Sequence, residues 1–265
     1  LSVRATFSYL YGDITHQSMT TIGATDTRSI KLDKFSISDY KLDFGLQYTY
    51  KLNKKNTINI GAVYTLGRTL HGDAYKYHQT GAESNGSIYV QSQTGDTIPN
   101  PFKMPHTFGI GLTYVYDNRL TIGVDYTLQK WNTADLAWSK FNKESVEMNS
   151  RTKIAFGAEF VPSYISHNYL KRIRYRMGAY YSSPYNKVSY TSPDTGTTSF
   201  QDGAREYGVS IGFGLPMFQS KSMLNISGQY IKVSPKFKGL MEENYLRINI
   251  GLTFNERWFM KWKVD

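Results

Sequence analysis

The chain has 265 residues, no cysteine and a formal net charge of +10 at pH 7. Its length allows one large domain or two small ones, and the missing cysteines exclude disulfide scaffolds, thiolate metal sites and cysteine nucleophiles. No run approaches 18 apolar residues, which excludes a helical membrane span. Aromatic residues make up 15% of the chain, far more than a disordered chain carries. The positive charge permits an anionic partner such as nucleic acid, phospholipid or lipopolysaccharide, and composition does not choose among them.

Apolar and polar residues alternate with a period of two through most of the chain, which predicts β-strands. In residues 40–50, for example, tyrosine, leucine and phenylalanine alternate with polar residues such as Lys41 and Asp43. All eight prolines lie between segments of this kind, as expected because proline cannot donate to a strand ladder. The pattern predicts ten strands, at residues 1–11, 39–51, 57–67, 106–116, 119–131, 151–161, 172–182, 206–215, 222–233 and 243–254.

The links between the predicted strands alternate between short and long. Short turns include Asp117-Asn118 and residues 53–56, and the four long links are residues 12–38, 68–105, 132–150 and 183–205. Strands of about ten residues, with short turns on one side and long loops on the other, are typical of outer-membrane barrels. The sequence therefore predicts an all-β fold, an antiparallel transmembrane β-barrel over residues 1–254. In this prediction the long links are extracellular loops. The barrel lies in the outer membrane of a Gram-negative bacterium, in contact with lipid and lipopolysaccharide.

Aromatic residues lie at both ends of the predicted apolar faces, as in the two interfacial girdles of membrane barrels. A soluble β-sandwich is the alternative, but loops as long as residues 68–105 are uncommon in compact soluble domains. The short-turn girdle consists of Tyr48, Tyr50, Tyr114, Tyr116, Phe160 and Phe254, and the long-loop girdle consists of Tyr9, Tyr11, Tyr40, Tyr126, Tyr181 and Tyr207.

Two pairs of neighbouring segments carry a family resemblance. Residues 104–114, with a proline that opens a Gly-x-Gly strand, and residues 120–131, which end in Trp131, resemble FadL-type outer-membrane transporters of hydrophobic compounds. Residues 154–162 and 175–181 repeat the likeness, and Gly251-Leu-Thr-Phe with the following residues resembles the Bacteroidetes-like branch. The resemblance covers residues 100–254 by motif and residues 1–99 by layout only.

The resemblance implies a 14-stranded barrel with an N-terminal hatch that plugs the lumen. Ten strands are predicted here, so the resemblance implies that the hatch and four strands would precede Leu1. Residues 12–38 and 68–105 would then form the outer ligand groove. The implied function is transport of hydrophobic or amphipathic, fatty-acid-like small molecules. A non-transporting barrel subunit of a larger outer-membrane complex is the alternative, and a pore for polar solutes is a third possibility.

Arginines on one predicted strand suggest a ligand site in the lumen. Pairing across a turn at residues 162–171 would place Glu159 opposite Arg174, and Gly157 opposite Arg176. Arg176 would then lack a partner unless it pairs with an acid of the next strand, and a free guanidinium suits a carboxylate or phosphate. The candidate ligand-binding residues are the lumen cations Arg174, Arg176, Lys153 and Arg247 and the outer aromatics Tyr75, Tyr77, Tyr89 and Phe102.

The remaining patterns predict no catalysis. None of the five histidines follows a metal-ligand or nucleophile–base spacing, so we expect no enzyme, no metal and no cofactor. Basic residues are scattered and no nucleic-acid motif is present, so no nucleic-acid partner is expected. Residues 255–265 form a periplasmic tail in which Trp258, Phe259 and Trp262 alternate with cations. We expect this tail to pack against the lower girdle or to dock into an outer-membrane protein partner.

Overall fold

A computed structural model describes residues 1–22, 27–84, 87–133, 147–191, 198–217, 222–235 and 241–254. Within these ranges the chain forms sixteen strands and two short 3-10 helices, at Trp131–Thr133 and Tyr169–Arg172. Neither helix is long and apolar enough to cross a membrane. The strands are β1 (Ser2–Ile22), β2 (Thr27–Lys51), β3 (Asn56–Thr65), β4 (Arg68–Leu70), β5 (Gly72–Ser84), β6 (Ser87–Pro99), β7 (Phe102–Met104), β8 (Thr107–Tyr116), β9 (Leu120–Gln129), β10 (Arg151–Phe160), β11 (Arg174–Ser182), β12 (Lys187–Thr191), β13 (Thr198–Asp202), β14 (Ala204–Pro216), β15 (Met223–Pro235) and β16 (Glu243–Thr253).

Ten of these strands form one antiparallel meander, in the order β1-β2-β3-β8-β9-β10-β11-β14-β15-β16. They are the ten strands that the alternating pattern predicts, and the all-β, antiparallel fold class is confirmed. Consecutive strands of the meander are connected either by a short turn or by one of the long links, and they run in opposite directions. Among the described residues, β1 pairs only with β2 and β16 only with β15, which leaves these two strands at the edges of the meander.

The long strand β2 changes its partner halfway along its length. Residues 43–51 pair with β3, whereas residues 27–37 pair with β5. Strand β1 follows β2 over both parts, and β6 pairs with β5. The strands β1, β2, β5 and β6 therefore continue beyond the meander as a four-stranded extension.

The extension corrects one expectation from the sequence. Most of residues 12–38 and much of residues 68–105 form strands rather than irregular loops. Serine, threonine and charged residues occupy both faces of these strands. Because no face is continuously apolar there, a period-two hydrophobic pattern does not reveal them. Similarly, the link at residues 183–205 contains the paired strands β12 and β13.

One face of the meander is apolar and exposed. Ile110, Ile211 and Ile250 on this face are 57%, 63% and 73% exposed. Eleven of the twelve predicted girdle aromatics are exposed too, and Tyr114 is half-buried. Exposed apolar side chains on so many neighbouring strands form a larger patch than soluble proteins present to water. We call this the outward face and the opposite, polar face the inner face.

A small core lies where the extension begins. Phe35, Leu70 and Ala74 are buried, and the rings of Phe35 and Phe102 lie 5.4 Å apart. Strands β4 and β7 pair with each other and place Leu70 opposite Phe102. The packing of these short strands against β2 holds the base of the four-stranded extension.

Candidate functional site on the inner face

Glu159 on β10 binds two arginines of the neighbouring strand. Arg176 lies directly opposite Glu159 in the ladder. Its Nε donates to Glu159 Oε2 at 2.7 Å, and Arg174 Nη1 donates to Glu159 Oε1 at 3.0 Å. On its other side Arg176 Nη1 donates to Asn225 Oδ1 at 2.7 Å. The three charged side chains thus form one ladder, which Asn225 continues across to β15.

This ladder corrects the predicted register. The sequence places Glu159 opposite Arg174, but the pairing is shifted by two residues to Arg176. The reason is the connection after β10, in which Asn168 caps a 3-10 helix by accepting from the Leu170 backbone N–H at 3.0 Å. This helix contains Arg172, so β11 begins only at Arg174.

The sequence leaves open whether Arg176 is unpaired or pairs with an acid of the next strand, and the structure shows a different pairing. The Arg176 guanidinium is held by Glu159 and Asn225, and not by an acid of β14. Two guanidinium groups nevertheless share one carboxylate, which leaves one excess positive charge in the ladder. Arg176 also lines a cavity of about 290 Å³ beside the polar side chains of Ser210, Asn225 and Gln229. Such a cavity offers hydrogen bonds and a positive charge to a polar or anionic group.

Lys153 belongs to a second cluster, around Tyr180. The Tyr180 ring lies over Gly208, where a Cβ atom would come within 2.5 Å of the ring. Lys153 Nζ lies 4.7 Å from the centre of this ring. The Tyr180 hydroxyl donates to Glu206 Oε1 at 2.7 Å, and Arg151 Nη2 lies 3.9 Å from Glu206 Oε2. A glycine at residue 208 is thus what allows the tyrosine to link a lysine with a carboxylate.

Arg247 acts on the Tyr180 cluster electrostatically, through the effect of its charge on Tyr180. It lies on the edge strand β16, opposite Gln229, which in turn lies opposite Ser210. Its side chain is exposed, and no ion pair joins it to another described residue. The four predicted lumen cations therefore do not form a single site. Arg174 and Arg176 form the Glu159 ladder, Lys153 joins Tyr180, and Arg247 lies at the edge of the sheet.

The predicted outer aromatics do not converge either. Tyr75 and Tyr77 are stacked on β5 with their ring centres 6.5 Å apart. They lie opposite Lys34 and Leu32, whereas Ala74 lies opposite Phe35, so the tyrosines and Phe35 are on different faces. Since the Phe102 ring packs on Phe35, Phe102 contributes to the core and not to a shared aromatic groove with the tyrosines. The nearby Asp73 carboxylate raises the pKa of Tyr75. The Tyr89 side chain lies outside the described residues.

A buried carboxylate at the base of the extension is absent from the sequence predictions. Asp39 is 4% exposed and lies where β2 changes partner. It accepts hydrogen bonds from the His71 and Tyr40 backbone N–H groups, both at 2.7 Å, and lies 3.3 Å from Arg68 Nη2. The Arg68 guanidinium lies 3.9 Å from the centre of the Tyr40 ring. The one signal in the sequence is an acidic residue at the point where polar residues give way to the apolar alternation of residues 40–50.

Other predicted features fall outside these clusters. Among the described residues, no three histidine, aspartate or glutamate side chains lie close enough to hold a metal ion. Trp258, Phe259 and Trp262 of the predicted docking tail lie outside the described residues.

Comparison with known proteins places this fold in a family. The chain is similar to the CymD monoaromatic hydrocarbon channel, with 12% identity, 86% of this chain and 75% of that chain covered, and a TM-score of 0.43. It is also similar to the RagAB peptide importer in its closed-closed state, with 11% identity, 90% of this chain and 35% of that chain covered, and a TM-score of 0.38. No curated protein matches the chain. The family model of BamG matches residues 1–265, and the chain therefore belongs to the BamG family.

Proposed function

We propose that this chain is a membrane-embedded subunit of an outer-membrane complex that assembles β-barrel proteins. The observation that carries the proposal is the match of the BamG family to the whole chain, because the family designation points to barrel assembly. The exposed apolar outward face supports a place in the membrane, since it spans the strands of the meander. The ion pairs of Glu159 with Arg174 and Arg176 join β10 to β11 on the inner face, which supports a structural role for this face.

A β-sheet that spans a membrane must also be closed. Lipid cannot satisfy backbone hydrogen bonds, so neither β1 nor β16 can be left with an unpaired edge in the bilayer. Both edge strands carry exposed apolar residues, for example Phe7 and Ile248. We therefore expect both edge strands to be paired in the membrane, and an even total number of strands keeps all neighbours antiparallel. The 14 strands implied by the FadL-type resemblance satisfy this requirement.

Transport of amphipathic molecules is the second candidate function. The excess positive charge of the Glu159 ladder, next to a cavity of about 290 Å³, favours it. A carboxylate head group, as in a fatty acid, could hydrogen-bond to the unshared guanidinium N–H groups. If the protein transports such molecules, Arg174 and Arg176 bind the ligand, and Lys153 and Arg247 lie along its path.

Depletion of the protein in its own host distinguishes the two functions. If the protein acts in barrel assembly, depletion should lower the amounts of other β-barrel proteins in the outer membrane. Fatty-acid uptake divided by the amount of barrel transporter should stay unchanged. Expression of the double variant Arg174→Ala/Arg176→Ala in the depleted cells should restore those amounts if the variant protein reaches wild-type levels.

Two other results would contradict the assembly function. Normal amounts of other barrel proteins together with lost fatty-acid uptake, not restored by the double variant, would support transport and contradict the assembly function. Normal amounts and normal uptake would contradict both functions.

A further inference from the structure

A basic rim lies at one end of the meander. Short connections join β2 to β3, β8 to β9, β10 to β11 and β14 to β15, and they share this end because neighbouring strands are antiparallel. The described residues of these connections include one acid, Asp117, and five cations, which are Lys54, Lys55, Arg119, Lys171 and Arg172. In the four-stranded extension at the other end, four cations are balanced by five acids. The positive charge is therefore concentrated at this rim, which suits an anionic surface.

An apolar groove opens at the same rim. It has a volume of about 410 Å³ and is lined by Tyr169, Leu215, Pro216, Met217 and Leu224. Leu215 and Leu224 lie opposite each other in the ladder, two residues from the exposed Phe213 of the outward face. The groove therefore faces the lipid and not the inner face. Its place at the ends of the strands puts it at the height of an interfacial girdle, where acyl chains meet head groups.

The connection between β10 and β11 places two cations beside the groove. Tyr169, which lines the groove, lies in the same 3-10 helix as Lys171 and Arg172. The hydroxyl group of Tyr175, on the outward face, donates to the Leu170 carbonyl oxygen at 3.0 Å and so holds this helix on the outward side of β11. No ion pair joins Lys171 or Arg172 to another described residue. Both cations are therefore available to an external anion.

The same connection also exposes apolar side chains. Ile165 is 92% exposed and Leu170 is 62% exposed. Segments that lie in a membrane interface combine apolar side chains with lysine and arginine in this way, and anionic lipids strengthen their binding. A phospholipid offers both matching parts, an acyl chain for the groove and a phosphate for the cations.

We propose that the groove and the two cations form a binding site for a phospholipid with a net negative head group. One acyl chain occupies the groove, and Lys171 and Arg172 bind the phosphate. Short turns of outer-membrane barrels lie on the periplasmic side, where the leaflet contains phospholipid rather than lipopolysaccharide. The site rests only on the contact of the outward face with lipid, and it is independent of barrel assembly and of a transported ligand.

Native mass spectrometry of the full chain in detergent micelles tests this site. The protein is titrated with dioleoylphosphatidylglycerol, which is anionic, or with dioleoylphosphatidylcholine, which has no net charge. We expect one phosphatidylglycerol molecule to bind about tenfold more tightly than phosphatidylcholine, because two cations contribute. Lys171→Gln/Arg172→Gln should abolish this preference. The matched control Lys31→Gln/Lys34→Gln removes two exposed cations from the extension and should keep it.

Two further measurements identify what occupies the groove. Met217→Gln should weaken the binding of both lipids by about tenfold while the head-group preference remains, because it makes the groove polar. Glycerophosphoglycerol, which is the head group without acyl chains, should not compete with phosphatidylglycerol.

Four results would overturn the proposal. They are equal binding of the two lipids to the natural protein, an unchanged preference in Lys171→Gln/Arg172→Gln, unchanged lipid binding in Met217→Gln, and competition by glycerophosphoglycerol. A protein that co-purifies with the natural chain in place of lipid, and is lost from Lys171→Gln/Arg172→Gln, would overturn it as well, because that protein then occupies the rim.

Discussion

Glu159 is the single carboxylate that joins Arg174 and Arg176, so the stability of the inner face should depend on its charge. Glu159→Gln keeps the shape of the side chain but replaces two charge-assisted hydrogen bonds with weaker ones. Because the three side chains are only partly buried, we expect the free energy of unfolding to fall by about 1–2 kcal/mol. Urea unfolding of the protein in lipid vesicles measures this change.

Asp125→Asn provides the matched control at the same scale. Asp125 lies on the inner face of β9, opposite Ala155, and makes no ion pair with another described residue. The same change from carboxylate to amide should alter the free energy of unfolding there by less than about 0.5 kcal/mol. Equal losses for the two variants would mean that the ion pairs of Glu159 contribute nothing specific.

The four-stranded extension is an element whose attachment depends on Asp39. Asp39→Ala removes the acceptor of the His71 and Tyr40 backbone N–H groups and the partner of Arg68. Gly72→Ala should act at the same junction, because a Cβ atom there would lie 2.0 Å from the Ser36 carbonyl oxygen. We expect either variant to make β5 and β6 several times more sensitive to added protease, while the meander stays resistant.

A variant of an exposed acid on the same extension is the control for this prediction. Asp13→Ala changes an exposed side chain of β1 and should leave the rate of cleavage unchanged. Cleavage is measured by mass spectrometry of fragments from protein in outer-membrane vesicles. If Asp39→Ala and Asp13→Ala are cleaved at the same rate, Asp39 does not anchor the extension.

These elements also show what the sequence can and cannot predict. Strands of the meander have one apolar face, so a period of two locates all ten of them. Strands of the extension have no such face, and the sequence pattern therefore predicts a loop at residues 12–38. At the site, alternation correctly places Arg174, Arg176 and Glu159 on one face, but their partners depend on a 3-10 helix that absorbs residues before β11. Asp39 is missed because its partners Arg68 and His71 are about 30 residues away in the sequence.

At the scale of the whole molecule, the outward face should contact lipid over the meander. Ile122 lies opposite Tyr114 and Ala158 on this face, whereas Thr121 lies opposite Glu159 on the inner face. Ile122→Arg should cost about 2–4 kcal/mol in a bilayer. Thr121→Arg should cost less, because the new cation points to the polar inner face and not into lipid. Unfolding in lipid vesicles compares the two, and equal losses would contradict the assignment of the faces.

The last prediction concerns the orientation of the molecule. Outer-membrane barrels place short turns in the periplasm and longer connections outside, so β1 should run outwards and the extension should project from the cell. Gln93→Cys, on the exposed part of β6, should react with a membrane-impermeant maleimide on intact cells. Asn118→Cys, in the tight turn between β8 and β9, should react only after the outer membrane is permeabilised. Each variant carries a single thiol, since the natural chain has none. Labelling of Asn118→Cys but not of Gln93→Cys on intact cells would show that the orientation is reversed.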